Sequence, residues 1–264
     1  MLNISKKVCV VAGLLFACPL NAETLALEEV VVEARKVAEN SQTVPISMSV
    51  LTPEKIESLN AFDFTELDRI VPSLQLGANS PASATLKIRN VGPDFFALAF
   101  PAAVAVYVDG VPQAQPGSVF STMLDIERIE VLNGPQGTLY GRNATVGVIN
   151  MIPNSPDPTE FNGYVRTRLG NYGLVDLEGM VNVPVSDTLT VRANIIDHTR
   201  DGILENKGIG DDLREEGWTF GRLAVLWEPT ESTSIKLAGD LEDRKGNTNY
   251  SIGVSEYALS SDPF

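Results

Sequence analysis

The sequence predicts an α+β domain followed by a run of amphipathic antiparallel strands. Helix caps and short β-branched runs intermingle from residue 44 to residue 158. Beyond Pro158 the pattern changes to a period-two alternation carried through five segments. Between the two regions, VLNGPQGTLYGRNATVGVINM (131–151) concentrates Gly134, Gly137, Gly141 and Gly147.

The amino terminus stands apart from both. Lys6 and Lys7 precede an apolar stretch from Val8 to Ala17, and small or turn-forming residues follow. This is the layout of a secretory signal peptide over 1–22, with cleavage expected after Ala22, and it is too short to span a bilayer as a helix. Leu15-Phe16-Ala17-Cys18 offers an alternative, a lipoprotein box in which Cys18 is acylated. Cys9 and Cys18 are the only cysteines, so the chain after the leader holds no disulfide and no thiolate metal site. A net charge of −14 leaves no basic face for nucleic acid.

Residues 23–43 form a lead-in around Leu27, Glu28, Glu29, Val30, Val31 and Val32. That β-prone run suits a first strand of the domain, or, beside a free end, addition to a partner's sheet. Residues 25–36 are accordingly expected to be mobile. PISMSVLT (45–52) alternates as a short strand, and Thr52-Pro53-Glu54 opens a helix with a capping hydroxyl and proline at its first position. Asp63-Phe64-Thr65-Glu66 has capping-box spacing and starts a helix ending before Pro72. LQLG, TLKIRN and AVAVYVDG read as three strands, the last closing in an Asp109-Gly110 turn.

Strands are expected over 163–170, 173–184, 188–198, 217–228 and 232–244. Val165, Leu169, Val175, Leu177, Val191 and Ile195 fall on one face; Arg166, Asp176, Glu178 and Arg192 fall on the other. Short connections alternate with long ones. Alternation alone fits a membrane barrel with a wet lumen and a soluble sandwich equally well.

The glycine cluster first suggests a phosphate cradle. No Walker lysine follows Gly141 or Gly147, and G-x-G-x-x-G is absent, so a secreted enzyme with a phosphate site on Gly134–Gly141 is disfavoured. The single histidine, His198, sits on a charged strand face and is expected to be solvated. No catalytic, cofactor-binding or metal-ligating constellation emerges, and the chain is not expected to be an enzyme.

IERIEVLNGPQGTLYGRNATVGVINMIPNSP resembles the end of the plug domain of TonB-dependent outer-membrane receptors. LEEVVVEARK resembles that family's TonB box and its flank, and DRIVPSLQL, TLKIRNVG and AVAVYVDGVPQ resemble further plug segments. YVRTRLGNYGLVDLEGMVNVPVSDTLTVRANI and LAVLWEPTESTSIKLAGD are similar to its first barrel strands. The sequence departs from the family pattern at Asn133, which replaces a basic residue, and at Asn90 and Val146, which replace glycines.

The resemblance implies an α+β plug domain over 44–158 followed by the first antiparallel strands of a transmembrane β-barrel, an incomplete barrel over 159–264. It implies residence in the cell outer membrane and energised uptake of a scarce ligand such as a ferric siderophore. Its partners would be outer-membrane lipid and the periplasmic domain of TonB, bound through Leu27, Glu28, Glu29, Val30, Val31 and Val32 with the inner-membrane energising complex behind it. Gly134, Gly137, Gly141 and Gly147 would let the plug turn tightly within the wall, while Tyr140, Arg142 and Asn143 hydrogen-bond to that wall. The hundred or so residues beyond Pro158 build roughly five strands, too few to close a barrel, so a fragment of a longer receptor is expected. The alternative is a periplasmic plug-like binding or signalling module that forms no barrel.

Overall fold

The computed structural model describes residues 31–32, 34, 37, 39–59, 64–78, 84–93, 102–113, 123–203 and 215–246. The leader, Leu27 to Val30 and Asp63 lie outside these residues. An α+β unit comes first. Short strands β1 (Val31–Val32) and β2 (Glu39–Asn40) pair with each other, and β3 (Met48–Leu51) leads into helix α1 (Pro53–Ser58). A 3-10 turn (Phe64–Glu66) runs into α2 (Leu67–Ile70), and β4 (Leu74–Ala78) pairs with β5 (Ala84–Ile88).

The unit's main sheet adds β6 (Val104–Val108), β7 (Val111–Pro112), β8 (Ile126–Asn133) and β9 (Gly147–Pro153), with helix α3 (Gly137–Tyr140) between the last two. The spatial order is β3-β8-β9-β6-β7, and β6 and β9 run parallel. Both faces of this sheet are covered. Ile129, Val131, Ile149 and Met151 meet Ile56, Phe64, Leu67, Leu74 and Ile88 on one side; Ala105, Tyr107, Leu132 and Val148 meet Val32, Ala34 and Tyr140 on the other. Two-sided burial explains why β6 reads VAVYV without alternation.

The helix starts differ from expectation in detail. Thr52 stands at the N-cap of α1 but makes no side-chain cap bond to the backbone. The segment expected to start in a capping box begins with the 3-10 turn, and its α-helical part starts only at Leu67, again without a side-chain cap. Both helices are short and rest on Ile56 and Leu67 in the core, so tertiary packing takes the place of capping.

After residues 154–161 the chain becomes a five-stranded antiparallel meander, the wall: β10 (Asn162–Leu169), β11 (Val175–Ser186), β12 (Leu189–Arg200), β13 (Glu216–Thr230) and β14 (Thr233–Gly246). Every strand pairs with the next in sequence. The expected faces are observed. Val165, Leu169, Leu177 and Ile195 are exposed on the outer face, while Asp176, Glu178 and Arg192 are buried against the α+β unit. The wall is open among the described residues, β10 and β14 being its edges.

Candidate functional site: the interface between plug and wall

Three carboxylates of the α+β unit reach the inner face of the wall. Asp125 occupies the turn before β8 at φ 53, a left-handed conformation that Asp tolerates better than most residues. Its Oδ1 accepts from Asn154 Nδ2 at 2.8 Å and Arg192 Nη2 at 2.7 Å; its Oδ2 accepts from Arg192 Nε at 2.6 Å and Asn194 Nδ2 at 3.0 Å. The two-pronged Arg192 contact is the strong, directional form of an ion pair. The paired side chains are only 10% and 4% exposed.

Asp109 is the second such group. It opens the Asp109-Gly110 turn between β6 and β7, both residues having positive φ as a two-residue hairpin requires. Its carboxylate accepts from Arg222 Nη2 at 2.8 Å and Lys236 Nζ at 2.7 Å. Arg222 is held in turn by both oxygens of Asp240. Close by, Asn182 fastens the linker: its Nδ2 donates to the carbonyls of Asp157 and Glu160, and its Oδ1 accepts from the Asp157 amide.

The third carboxylate is held more loosely. Glu57, in the last turn of α1, accepts from Arg166 Nη2 at 2.7 Å, but these side chains are 56% and 45% exposed. Exposed pairs contribute about 0–1 kcal/mol. Between α1 and the wall lies a cavity of about 260 Å³, bordered by Ile56, Glu57, Ile126, Arg166, Arg168 and Trp218 among others.

Higher on the same inner face, one residue from each strand forms a continuous register row: Arg168, Asp176, His198, Trp218, Arg244. His198 is buried, contrary to the solvated position expected from its sequence context. Its Nδ1 lies 2.6 Å from Asp176 Oδ1, and its ring stacks on Trp218 at 5.0 Å. The register placing it between an acid and an aromatic is the reason. Arg168 pairs with the same Asp176, and Arg244 lies over the other ring partner, Trp218. Among the described residues no cluster of three or more His, Cys, Asp or Glu is placed to hold a metal ion.

The glycine motif sits elsewhere in the unit. Gly134 and Gly141 have φ of +92 and +69, yet a Cβ at either would meet nothing within 4 Å. Among the described residues their requirement is therefore conformational. Gly147 is the tight position, where a Cβ would come within 2.4 Å of Leu132 O and Ile88 Cδ1, while Gly137 has neither constraint. Tyr140 is buried beside this motif. Its hydroxyl donates to Ala34 O at 3.3 Å, its own carbonyl accepts from the Tyr107 hydroxyl, and the two rings meet edge to face at 5.1 Å. These bonds tie Tyr140 to the N-terminal segment and to β6. Arg142 is exposed and Asn143 half-buried at φ 72, and neither makes a side-chain bond to the described strands.

Of the residues expected to bind TonB, Leu27, Glu28, Glu29 and Val30 lie outside the described residues. Val31 is exposed, whereas Val32 is fully buried with Ala34 beside Tyr107, Tyr140 and Val148. Burial sets Val32 and Ala34 apart from an exposed lead-in. Their spacing of two places both on the face that meets the tyrosines. Asn90, at φ 62 after Arg89 at φ 53, takes the left-handed geometry a glycine would supply. Val146, the other departure, packs against the core.

The TonB-dependent Receptor Plug Domain family model matches residues 40–148. The pesticin receptor of Yersinia pestis is 27% identical over 83% of this chain and 33% of its own length. The iron-regulated outer membrane virulence protein of Vibrio cholerae is 28% identical over 93% of the chain and 39% of its own length. Among solved structures, the ferric yersiniabactin uptake receptor FyuA from Yersinia pestis superposes with a TM-score of 0.68 at 26% identity, over 75% of this chain and 31% of that one. The pyoverdine receptor FpvA from Pseudomonas aeruginosa shares the fold, with a TM-score of 0.65. The chain thus spans about a third of the length of the curated relatives it matches. With carboxylates that grip the inner face of an antiparallel wall, residues 40–148 match the plug domain of TonB-dependent receptors, and the chain as a whole is similar to part of such an outer-membrane receptor.

Proposed function

We propose that the chain works in energised uptake of a ferric chelate of the siderophore type across the outer membrane. The observation that carries this is the two-faced wall: an aliphatic outer face suited to lipid, and a charged inner face to which the plug is fastened through Asp125 and Asp109. Similar receptors named for ferric yersiniabactin and catecholate siderophores supply the ligand class. TonB binds residues 27–32 by strand addition, with Val31 presented and Val32 held back in the plug. The soluble-module alternative gains nothing from an outer face this apolar.

The test is accumulation of radioactive iron in iron-starved cells supplied with ferric yersiniabactin and with ferric catecholates. Uptake of at least one chelate should require both this gene and TonB. Prolines at Val30 and Val31 together should abolish it while leaving the protein in the membrane. Unchanged TonB binding by the doubly substituted segment contradicts strand addition, and uptake independent of TonB contradicts the transport reading.

A further inference from the structure

The two buried anchors meet the wall on neighbouring strands. Asp125 accepts from Arg192 and Asn194 of β12; Asp109 accepts from Arg222 of β13 and Lys236 of β14. Asn194 and Arg222 are register partners, directly opposite each other on the inner face. Both stand on strands paired on each side, and both are only 7% exposed. Each keeps one side-chain atom without a hydrogen-bond partner among the described residues: Asn194 Oδ1, an acceptor, and Arg222 Nε, a donor. Buried polar atoms are seldom left unpaired. The bonds already made fix both groups. Asn194 donates through Nδ2 to Asp125, so its amide cannot be turned over. Its other row neighbour, Met180 of β11, carries no side-chain donor. Arg222 uses Nη1 on Asp240 and Nη2 on Asp109, which leaves Nε.

We propose that one buried water molecule joins Arg222 Nε to Asn194 Oδ1, so that the Asp125 and Asp109 anchors hold the plug as one coupled unit and not as two independent contacts. The water accepts from Nε and donates to Oδ1. Cross-strand partners have Cβ atoms about 4.5–5.5 Å apart, a gap that two hydrogen bonds through a single oxygen can span. Charge excludes an ion from the same place: Arg192, Arg222 and Lys236 are already matched by Asp125, Asp109 and Asp240. A water also suits one free donor facing one free acceptor, since it supplies both functions at once. The link makes the grip on Asp125 depend on Asp109, although no bond of Asp109 reaches Arg192 or Asn194.

The test is nuclear magnetic resonance of the detergent-solubilised protein with isotopically labelled arginine, the Nε–H signals being assigned through Arg192→Lys and Arg222→Lys. In the unsubstituted protein, the rotating-frame cross-peak between Arg222 Nε–H and water should carry the sign of a bound molecule. A cross-peak of the sign of proton exchange, or none, overturns the water. Asp109→Asn should speed exchange of the Arg192 Nε proton about fivefold, the worth of one net hydrogen bond. The same substitution made in Asn194→Leu should leave the Arg192 rate where Asn194→Leu alone puts it. No effect of Asp109→Asn at Arg192 overturns the coupling, and an effect that persists in Asn194→Leu overturns its route through Asn194. If either variant fails to fold, the cross-peak in the unsubstituted protein still decides whether the water is there.

Discussion

At the scale of single residues, the interface separates groups that hold from groups that merely touch. Asp125→Ala leaves Arg192 buried without its counter-charge, and loss of one partner from such a pair costs about 3–5 kcal/mol. Glu57→Ala removes an exposed partner and should cost less than about 1 kcal/mol. Urea unfolding of the detergent-solubilised protein, followed for each variant, checks the contrast. Gly141→Val is the complementary case: with φ at 69 and ψ at −146, the site is one that glycine alone occupies readily, and strain of about 1–3 kcal/mol is expected although the space is open. The same unfolding curves read it out, with Gly137→Ala as the tolerated control. These roles were only partly legible in the sequence. A cluster of glycines announces special backbone, but it does not tell φ at Gly141 from crowding at Gly147. Asp125 and Asp109 were invisible as anchors because their arginines lie 67 and 113 residues away. The one local signal was Asp109-Gly110, a turn pair whose first side chain is aimed outward.

At the scale of elements, the wall's strand alternation predicted its faces because a side-chain period of two leaves no freedom once one face is buried. What alternation does not reveal is height. The register aligns Leu177 with Asp197, Thr219 and Asp243 on the outer face, so Leu177 lies at the edge of the aliphatic band. Leu223, in a row with Val181 and Ala193, lies within it. Arginine at Leu223 should therefore cost about 2–4 kcal/mol and at Leu177 about 0–1 kcal/mol, measured by folding into lipid vesicles. The linker makes a different prediction. Thr159 donates its hydroxyl and its amide to Asp157, holding that carboxyl below its ordinary 3.8. A depressed pKa means that the turn is fully stabilised above the ordinary aspartate range and loses that contribution as pH falls through the folded value. The Thr159 amide signal should hold steady from neutral pH to about pH 5 and move only below about pH 4. The helix starts were the least legible elements, since core burial of Ile56 and Leu67 overrides their caps.

At the scale of the whole molecule, the order of strands in the plug sheet decides what a load on the N-terminus can undo. A load applied there enters near Val31, where β1 and β2 share a single short pairing. The next strand along the chain, β3, is at the sheet's margin and bonded only to β8, so a single ladder of hydrogen bonds holds it in the sheet. The β4–β5 hairpin is outside that sheet's hydrogen-bond ladder and is held to it by side-chain packing of Leu74, Leu86 and Ile88. Unravelling then reaches β6, which is flanked by β9 and β7 and followed at once by Asp109 on Arg222 and Lys236. Single-molecule pulling from residue 31 should accordingly release residues 31–103, roughly 250 Å of extended chain, before a markedly stronger stop. What survives at that stop is a folded β6–β9 remnant still seated on the wall, with the exposed margin of β8 ready to receive β3 again. Once the load is released, β3 should re-zip onto that template, with no need for the unit to refold from nothing.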